Sequence, residues 1–300
     1  MDEILEQTEK NYYLNLREFS SGEFEAVLKV VRPFKQEMME ASMAGACTNS
    51  AWMYPSFKTV SGIEPSREEV EAKAQQNHSR AVRRAKQNIR WLCKVMDADR
   101  LFTLSYRANV MDREQVREDF KRFLRLVRHG WRGQDGIPEW QYVAVLEQQE
   151  RGAFHIHCAV KGFQRIKFLR ACWYKALGGI GQETGSETPG AVNVTSPDKK
   201  KWGHTGRYWK VNKLAGYLTK YLAKTFDLTA LEKKRYWHTK DLKSPVKQRF
   251  WIGGLSMSEA IRSAWSMLRL HVGVDVDCSM WVSSSNDVFW IAGCGDGDSS

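Results

Sequence analysis

The stretch Gln141-Tyr-Val-Ala-Val-Leu-Glu-Gln-Gln-Glu-Arg-Gly-Ala-Phe-His-Ile-His-Cys-Ala-Val160 decides the fold. Residues 141–147 and 154–160 are apolar runs of strand length. The segment between them is polar and contains a glycine, as a hairpin connection requires. We therefore expect an antiparallel hairpin in the main domain, which argues against a doubly wound parallel sheet.

Other elements follow outward from this hairpin. Residues 101–106 alternate as a strand does, and Asp112 can cap a helix that runs to His129 and ends at Gly130. Further helices are predicted over 66–96, 166–177, 209–226 and 256–270, and short strands over 191–195, 235–242 and 249–252. The order strand, helix, strand, strand, helix predicts an α+β fold with a central, mainly antiparallel sheet flanked by helices.

We expect three regions along the chain. Residues 1–96 are predicted to be a mostly helical N-terminal region that could contact DNA. Residues 97–255 form the main domain, and residues 256–300 a C-terminal helix with short strands and a frayed tail. Basic runs at 80–90 and 199–202 fit either a solvated surface or a nucleic-acid contact, and the pattern does not separate the two.

Composition limits the class of partner. A net charge of +11 over 300 residues favours a polyanion, and 12 Trp, 13 Phe and 10 Tyr supply rings on which unpaired bases can stack. The six cysteines include no CxxC pair, which argues against a zinc finger and fits a reducing compartment. Without a signal-peptide pattern or an apolar run of about 18 residues, we expect a cytoplasmic location and no membrane partner.

A candidate metal site lies on the hairpin. His155 and His157 stand two apart on one strand, so they project from the same face of the sheet. If Glu147 pairs across the hairpin near His155, two imidazoles and a carboxylate converge, a donor set suited to Mg²⁺ or Mn²⁺. That pairing needs an odd loop or a bulge. Glu150, in the turn, is the alternative carboxylate.

Two tyrosines and two lysines share one side of the helix predicted over 209–226. Tyr217, Tyr221, Lys220 and Lys224 fall within an arc of roughly 100°, with the leucines on the other side. Ammonium groups favour a phenolate and attract phosphate. Amphipathic tyrosines with snorkelling lysines are the alternative interpretation. Combined with the histidine pair, the pattern predicts metal-assisted attack by tyrosine on a phosphodiester.

Over about residues 100–255 the chain resembles the HUH endonucleases, and most closely the rolling-circle replication initiators of the bacteriophage gene A type. Three segments carry this resemblance in the family's order. They are the strand at 102–106, the Glu…Arg-Gly…His-x-His arrangement at 145–157, and the paired-tyrosine motif at 217–224. Residues 235–238 are similar to the strand that follows the tyrosine helix in that family.

The resemblance implies an HUH endonuclease domain with an RRM-like palm. In such a domain His155, His157 and Glu147 would bind Mg²⁺ or Mn²⁺. Tyr217 or Tyr221 would attack, leaving a free 3′-hydroxyl and a 5′-phosphotyrosyl bond, and the other tyrosine would act in a second round. Lys220 and Lys224 would position phosphate, and no nucleotide cofactor is required.

The implied partner is single-stranded origin DNA inside a bacterial host cell. The 300 residues contain no GxxxxGK[ST] motif, so we expect unwinding to come from a host helicase and the host replication machinery. The sequence does not indicate the oligomeric state.

Three other functions compete with this interpretation. A relaxase or transposase of the same superfamily typically uses a single tyrosine, so the doubled motif argues against it. A non-catalytic DNA-binding repressor leaves the histidine pair without a role. A cupin-like metalloenzyme acting on small molecules leaves both tyrosines without one and fits the basic charge poorly.

Overall fold

The computed structural model describes residues 9–19, 22–31, 66–131, 139–195, 209–226, 236–240, 242, 245–272, 278–285 and 287–294, without the side chains of 223–226 and 294. The strands are β1 (Lys10–Glu18), β2 (Glu23–Val30), β3 (Arg100–Tyr106), β4 (Tyr142–Gln148), β5 (Phe154–Val160), β6 (Gly190–Thr195), β7 (Tyr236–His238), β8 (Val246–Leu255), β9 (Ser279–Val282) and β10 (Val288–Cys294). The helices are α1 (Arg67–Val95), α2 (Arg113–Gly130), α3 (Ile166–Ala176), α4 (Val211–Phe226) and α5 (Met257–Val272), with a 3₁₀ turn at Gly185–Glu187.

The chain divides into two compact units, residues 1–70 with 245–300, and residues 71–244. The first unit contains an antiparallel sheet in the order β8-β1-β2-β10-β9, with α5 packed on one face. Tyr12, Leu14 and Leu16 alternate with polar positions and are buried, which is the period of a strand. We expected mostly helix before residue 97, so these two N-terminal strands are a correction.

The second unit contains an antiparallel sheet in the order β6-β3-β5-β4-β7. Helices α2 and α3 cover one face, around Phe123 and Trp173. Helix α4 and the C-terminal part of α1 cover the other, around Leu214, Leu218 and Ile89. The prediction of an α+β fold with antiparallel strands flanked by helices is confirmed, although the chain forms two such sheets where we expected one.

Helix α2 begins and ends where the sequence predicts. Asp112 is its N-cap, with Oδ1 accepting a hydrogen bond from the backbone N–H of Glu114 at 2.9 Å. The predicted apolar stripe is buried against the sheet and consists of Val116, Phe120, Phe123, Leu124 and Val127. The helix stops at Gly130.

The two units do not follow the three predicted regions. Strand β8, expected to close the main domain, pairs instead with β1 in the first unit. Strands β9 and β10 also join that sheet. The basic run at 199–202 and the tail from residue 295 lie outside the described residues.

None of the helices in the described part of the chain combines the length and the apolar character that crossing a membrane demands.

Candidate active site

The β4–β5 hairpin brings the predicted carboxylate opposite the predicted imidazole. Glu147 pairs with His155, and Val145 pairs with His157. The connection from 149 to 153 has an odd number of residues, which keeps the paired residues on one face. Gly152 adopts φ 87 in this turn, a conformation that favours glycine. The expected same-face pairing of Glu147 with the histidines is therefore confirmed.

His157 is held from both ring nitrogens. Nε2 lies 2.7 Å from Oε2 of Glu147, and Nδ1 lies 2.9 Å from Oγ1 of Thr103. Because an ionised carboxylate only accepts, Nε2–H donates to Glu147 and the Thr103 hydroxyl donates to Nδ1. His157 and Glu147 are both buried. The imidazole is thus fixed in orientation beside a carboxylate, with Thr103 setting its tautomer.

His155 has a different partner. Nε2 of the Gln149 side chain lies 3.3 Å from Nδ1 of His155, so the amide can donate to the ring. Burial lowers the pKa of His155, the charge of His157 adds to this effect, and Glu147 opposes it. A lowered pKa favours the neutral imidazole, the form that can bind a metal.

The three predicted ligands are close but not assembled. Glu147 contacts His157, whereas the His155 ring is engaged by Gln149. Within the described residues, no group of three or more His, Cys, Asp or Glu is arranged to hold a metal ion. Glu150, the alternative ligand, is exposed in the turn. The metal site therefore stays a prediction.

Helix α4 places both tyrosines on the face of the sheet that carries the histidines. Leu214, Leu218 and Leu222 are fully buried and anchor the helix on this face. The Tyr221 ring stacks on the imidazole of His157, with centroids 3.8 Å apart and planes 14° apart. The structure thus brings the predicted nucleophile helix into contact with the predicted ligand strand.

The two phenols also contact each other. The Tyr221 hydroxyl donates to the Tyr217 oxygen at 2.5 Å, and the ring centroids lie 5.0 Å apart. Trp209 packs against the other tyrosine ring, with its centroid 5.1 Å from that of Tyr217. Both phenolic oxygens therefore sit at one place beside His157.

The electrostatics of Tyr221 differ from the expectation. Burial raises its pKa above the ordinary value, and the hydrogen bond to Tyr217 and the negative charge of Glu147 add to this. We had expected ammonium groups to favour the phenolate. Lys220, however, is exposed, and the side chain of Lys224 lies outside the described residues. In this state the Tyr221 phenol is protonated.

One comparison with known proteins bears on this site. Residues 99–226 match the family model of the replication-associated protein ORF2. Neither the curated proteins nor the solved structures give a match. The matched range runs from β3 to the end of α4, so it contains the three candidate ligands and both tyrosines. The match supports a replication-initiator family and a role in DNA replication.

Sequence reasoning missed three residues at this site, namely Thr103, Gln149 and Trp209. Thr103 belongs to a strand that the sequence predicts, and it lies opposite His157. The sequence could not supply this contact, because it does not tell which strand pairs with β5 on its second side. Gln149 and Trp209 lie in connections, where local patterns carry little information on contacts.

Proposed function

We propose that the chain is a replication initiator that nicks and rejoins single-stranded origin DNA through a tyrosine nucleophile. The observation that carries this proposal is the stack of Tyr221 on His157, whose Nε2 bonds to Glu147. A phenol held beside a histidine–carboxylate pair has the composition of a metal-assisted nucleophilic site. The family match over the same residues supports replication as the setting.

Glu147, His155 and His157 are the proposed ligands of Mg²⁺ or Mn²⁺. Two imidazoles and one carboxylate suit Mn²⁺, and Mg²⁺ accepts few protein ligands when phosphate oxygens complete its shell. Their shared face and the facing positions of Glu147 and His155 fit such a cation once the His155 ring leaves Gln149. When bound, the ion polarises the scissile phosphate and stabilises the charge that develops on it.

The proposed reaction is a transesterification. A phenolic oxygen of Tyr217 or Tyr221 bonds to phosphorus and loses its proton, while the bond from phosphorus to the 3′-oxygen breaks. The 3′-oxygen takes up a proton and leaves as a free hydroxyl. The 5′-phosphotyrosyl bond retains the energy of the phosphodiester, so the 3′-hydroxyl of a strand can reverse the step without a nucleotide cofactor.

The second tyrosine has a defined place in this scheme. Because the two hydroxyls lie 2.5 Å apart, either oxygen can occupy nearly the same attacking position. One tyrosine would cleave first, and the other would attack the regenerated junction after a round of synthesis. Lys220 and Lys224 would contribute by attracting phosphate to this side of α4.

We also propose that the substrate is exposed as a single strand by a host helicase, within the replication machinery of a bacterial cytoplasm. The rival functions fit less well. A small-molecule metalloenzyme or a repressor does not require the tyrosine pair at the histidines, and the matched family concerns replication. A relaxase or transposase does not require two adjacent phenols.

Covalent adduct formation tests the proposed function. The wild-type chain should form an adduct that survives denaturing electrophoresis when incubated with Mn²⁺ and overlapping single strands from the replicon that encodes it. Trypsin separates the two candidates, because Lys213, Lys220 and Lys224 place Tyr217 and Tyr221 on different peptides. Mass spectrometry of the nucleotide-bearing peptide identifies the attacking residue. Cleavage without any adduct, or an adduct on another residue, contradicts the proposal.

Thr103 provides a test of positioning. Thr103→Val keeps the shape of the side chain but removes the donor to Nδ1 of His157. We expect Mn²⁺ affinity and nicking to fall roughly 10- to 100-fold, as is usual when a residue that orients a ligand is lost. Thr103→Ser should restore most of both. Calorimetric Mn²⁺ titration measures the first effect, and wild-type affinity in the Val variant would contradict the role.

A further inference from the structure

A large open cleft lies in the second unit, on the face of the sheet opposite the histidines. It has a volume of about 1260 Å³. Helix α2, strand β7 and the chain that enters β4 form its walls. It is lined by Met111, Asp112, Arg113, Glu114, Arg117, Phe120, Lys121, Leu124, Arg128, Trp131, Glu139, Trp140, Tyr142, Trp237, His238, Thr239 and Lys240.

Aromatic rings form one part of this lining. Trp237 packs on Phe120 with centroids 5.3 Å apart, and Trp140 stacks on Tyr142 with centroids 5.5 Å apart. Phe120, Trp140 and Tyr142 are buried beneath the surface, whereas Trp131 and Trp237 keep part of their area exposed. Partly exposed indoles on a packed aromatic base are rigid platforms on which unpaired bases can stack.

Cations form the other part. Five lysine and arginine side chains line the cleft against three carboxylates. Two of these carboxylates are engaged within α2, since Asp112 caps the helix and Glu114 pairs with Arg117 at 2.6 Å. Burial raises the pKa of Tyr142 to about 12, and the nearby charge of Arg128 opposes this rise. The guanidinium of Arg128 therefore acts at the aromatic base of the cleft.

The size of the cleft distinguishes between ligands. Pockets for small molecules typically span roughly 300–1,000 Å³ and are mainly apolar. This cleft is larger and combines indoles with basic groups, which is the composition of sites that follow a single-stranded nucleic acid. A flexible polyanion of several nucleotides matches both its volume and its charge.

Strand β7 joins the cleft to the candidate active site. It is the edge strand of the sheet and pairs with β4, the strand that carries Glu147. Trp237 packs with the aromatic cluster on the cleft side, whereas Tyr236 packs with the cluster that includes the two tyrosines. His238 stacks on Tyr236 and also lines the cleft, so the cleft reaches round this edge.

We propose that this cleft binds a segment of the single-stranded DNA that flanks the cleaved phosphate, held by stacking on Trp237 and Trp131 and by Arg128 and Lys240. The identification of the polymer as DNA rests on the proposed function. The strand passes from the tyrosines over the β7 edge into the cleft. Binding here keeps the flanking DNA on the protein without contributing to the chemistry.

Oligothymidylate of about 20 nucleotides is the probe, since stacking and backbone contacts need no particular sequence. Fluorescence anisotropy with the full chain in EDTA measures its affinity without cleavage. The double variant Arg128→Glu/Lys240→Glu should bind about tenfold more weakly or worse. Trp237→Ala should lose roughly 5- to 100-fold, and Trp237→Phe should recover much of that loss.

Matched substitutions elsewhere serve as the control. Arg125→Glu/Lys175→Glu makes the same change of charge at two exposed side chains that do not line the cleft. Its affinity should fall clearly less than that of the cleft variant. Equal losses in the two double variants would sink the proposal, as would equal binding of a duplex of the same length. The charge variants change exposed residues, so they remain informative if Trp237→Ala fails to fold.

The adduct assay separates this inference from the proposed function. If the tyrosine mechanism is wrong, no chain forms an adduct, yet oligothymidylate binding still depends on the cleft residues. If the cleft inference is wrong, the wild-type chain forms the adduct while binding is indifferent to Arg128, Lys240 and Trp237.

Discussion

Replacing Tyr217 and Tyr221 together by phenylalanine is expected to abolish the covalent protein–DNA adduct. The rate should fall at least about 10³-fold, because the step has no other phenol at the histidine pair within the described residues. Both rings and their packing remain, so the stack on His157 and the contact with Trp209 survive. Single-turnover reactions on denaturing gels measure the loss.

Single variants refine this result. Tyr221→Phe removes the donor of the 2.5 Å hydrogen bond, and Tyr217→Phe removes its acceptor. Each change should cost about 1 kcal/mol of stability, typical of one hydrogen bond. One single variant should lose the first adduct and the other should form it but fail to transfer the strand. Full activity in both single variants would instead mean that the tyrosines are interchangeable.

The control removes a hydroxyl from the opposite face of the sheet. Tyr174→Phe changes a buried tyrosine of α3 that packs in the cluster around Trp173. It should leave the adduct unchanged. Robust nicking by the double variant, with an adduct of normal yield, would overturn the assignment of the nucleophile.

The hairpin at the centre of the site could be predicted from sequence because its information is local. Two apolar runs, a polar turn with a glycine and an odd connection fix which residues face each other. Glu147 opposite His155 follows from these features, and the structure has this register. The α2 boundaries were predictable for the same reason, since Asp112 and Gly130 are local signals.

The first sheet could not be predicted in the same way. Strand β1 pairs with β8, so that Leu14 lies opposite Phe250 from the far end of the chain. Local periodicity gives a strand but not its partner, and long-range pairing depends on how whole elements pack. The alternation at Tyr12, Leu14 and Leu16 was present in the sequence, but without a partner strand nearby it was not interpreted.

The contact between phenol and imidazole lies between these cases. Helical geometry places Tyr217 and Tyr221 on one side of α4, opposite the leucines. Which strand that side covers depends on how Leu214 and Leu218 dock on the sheet, and the sequence does not specify this. The pKa of Tyr221 shows the consequence, because burial and Glu147 raise it where the lysines alone predicted the reverse.

Removing one imidazole, by His155→Ala, is expected to eliminate Mn²⁺ binding and metal-dependent cleavage, with losses of at least about 100-fold. His155 is the better choice for this test. His157 is buried, bonds to Thr103 and Glu147, and carries the Tyr221 ring, so its removal would also disturb packing. His155 is half-buried and contacts Gln149, so its truncation should cost little stability.

Calorimetric Mn²⁺ titration and single-turnover nicking should fall together in His155→Ala, while binding of a single strand in EDTA stays near wild type because it depends on the basic surface. Gln149→Ala is the matched control. It removes the side chain that contacts the His155 ring but leaves all three proposed ligands, so Mn²⁺ affinity should stay equal or rise. Unchanged Mn²⁺ affinity in His155→Ala would show that the imidazole facing Glu147 is not a ligand. The tyrosine pair would then have to act beside His157 and Glu147 without a cation held by His155.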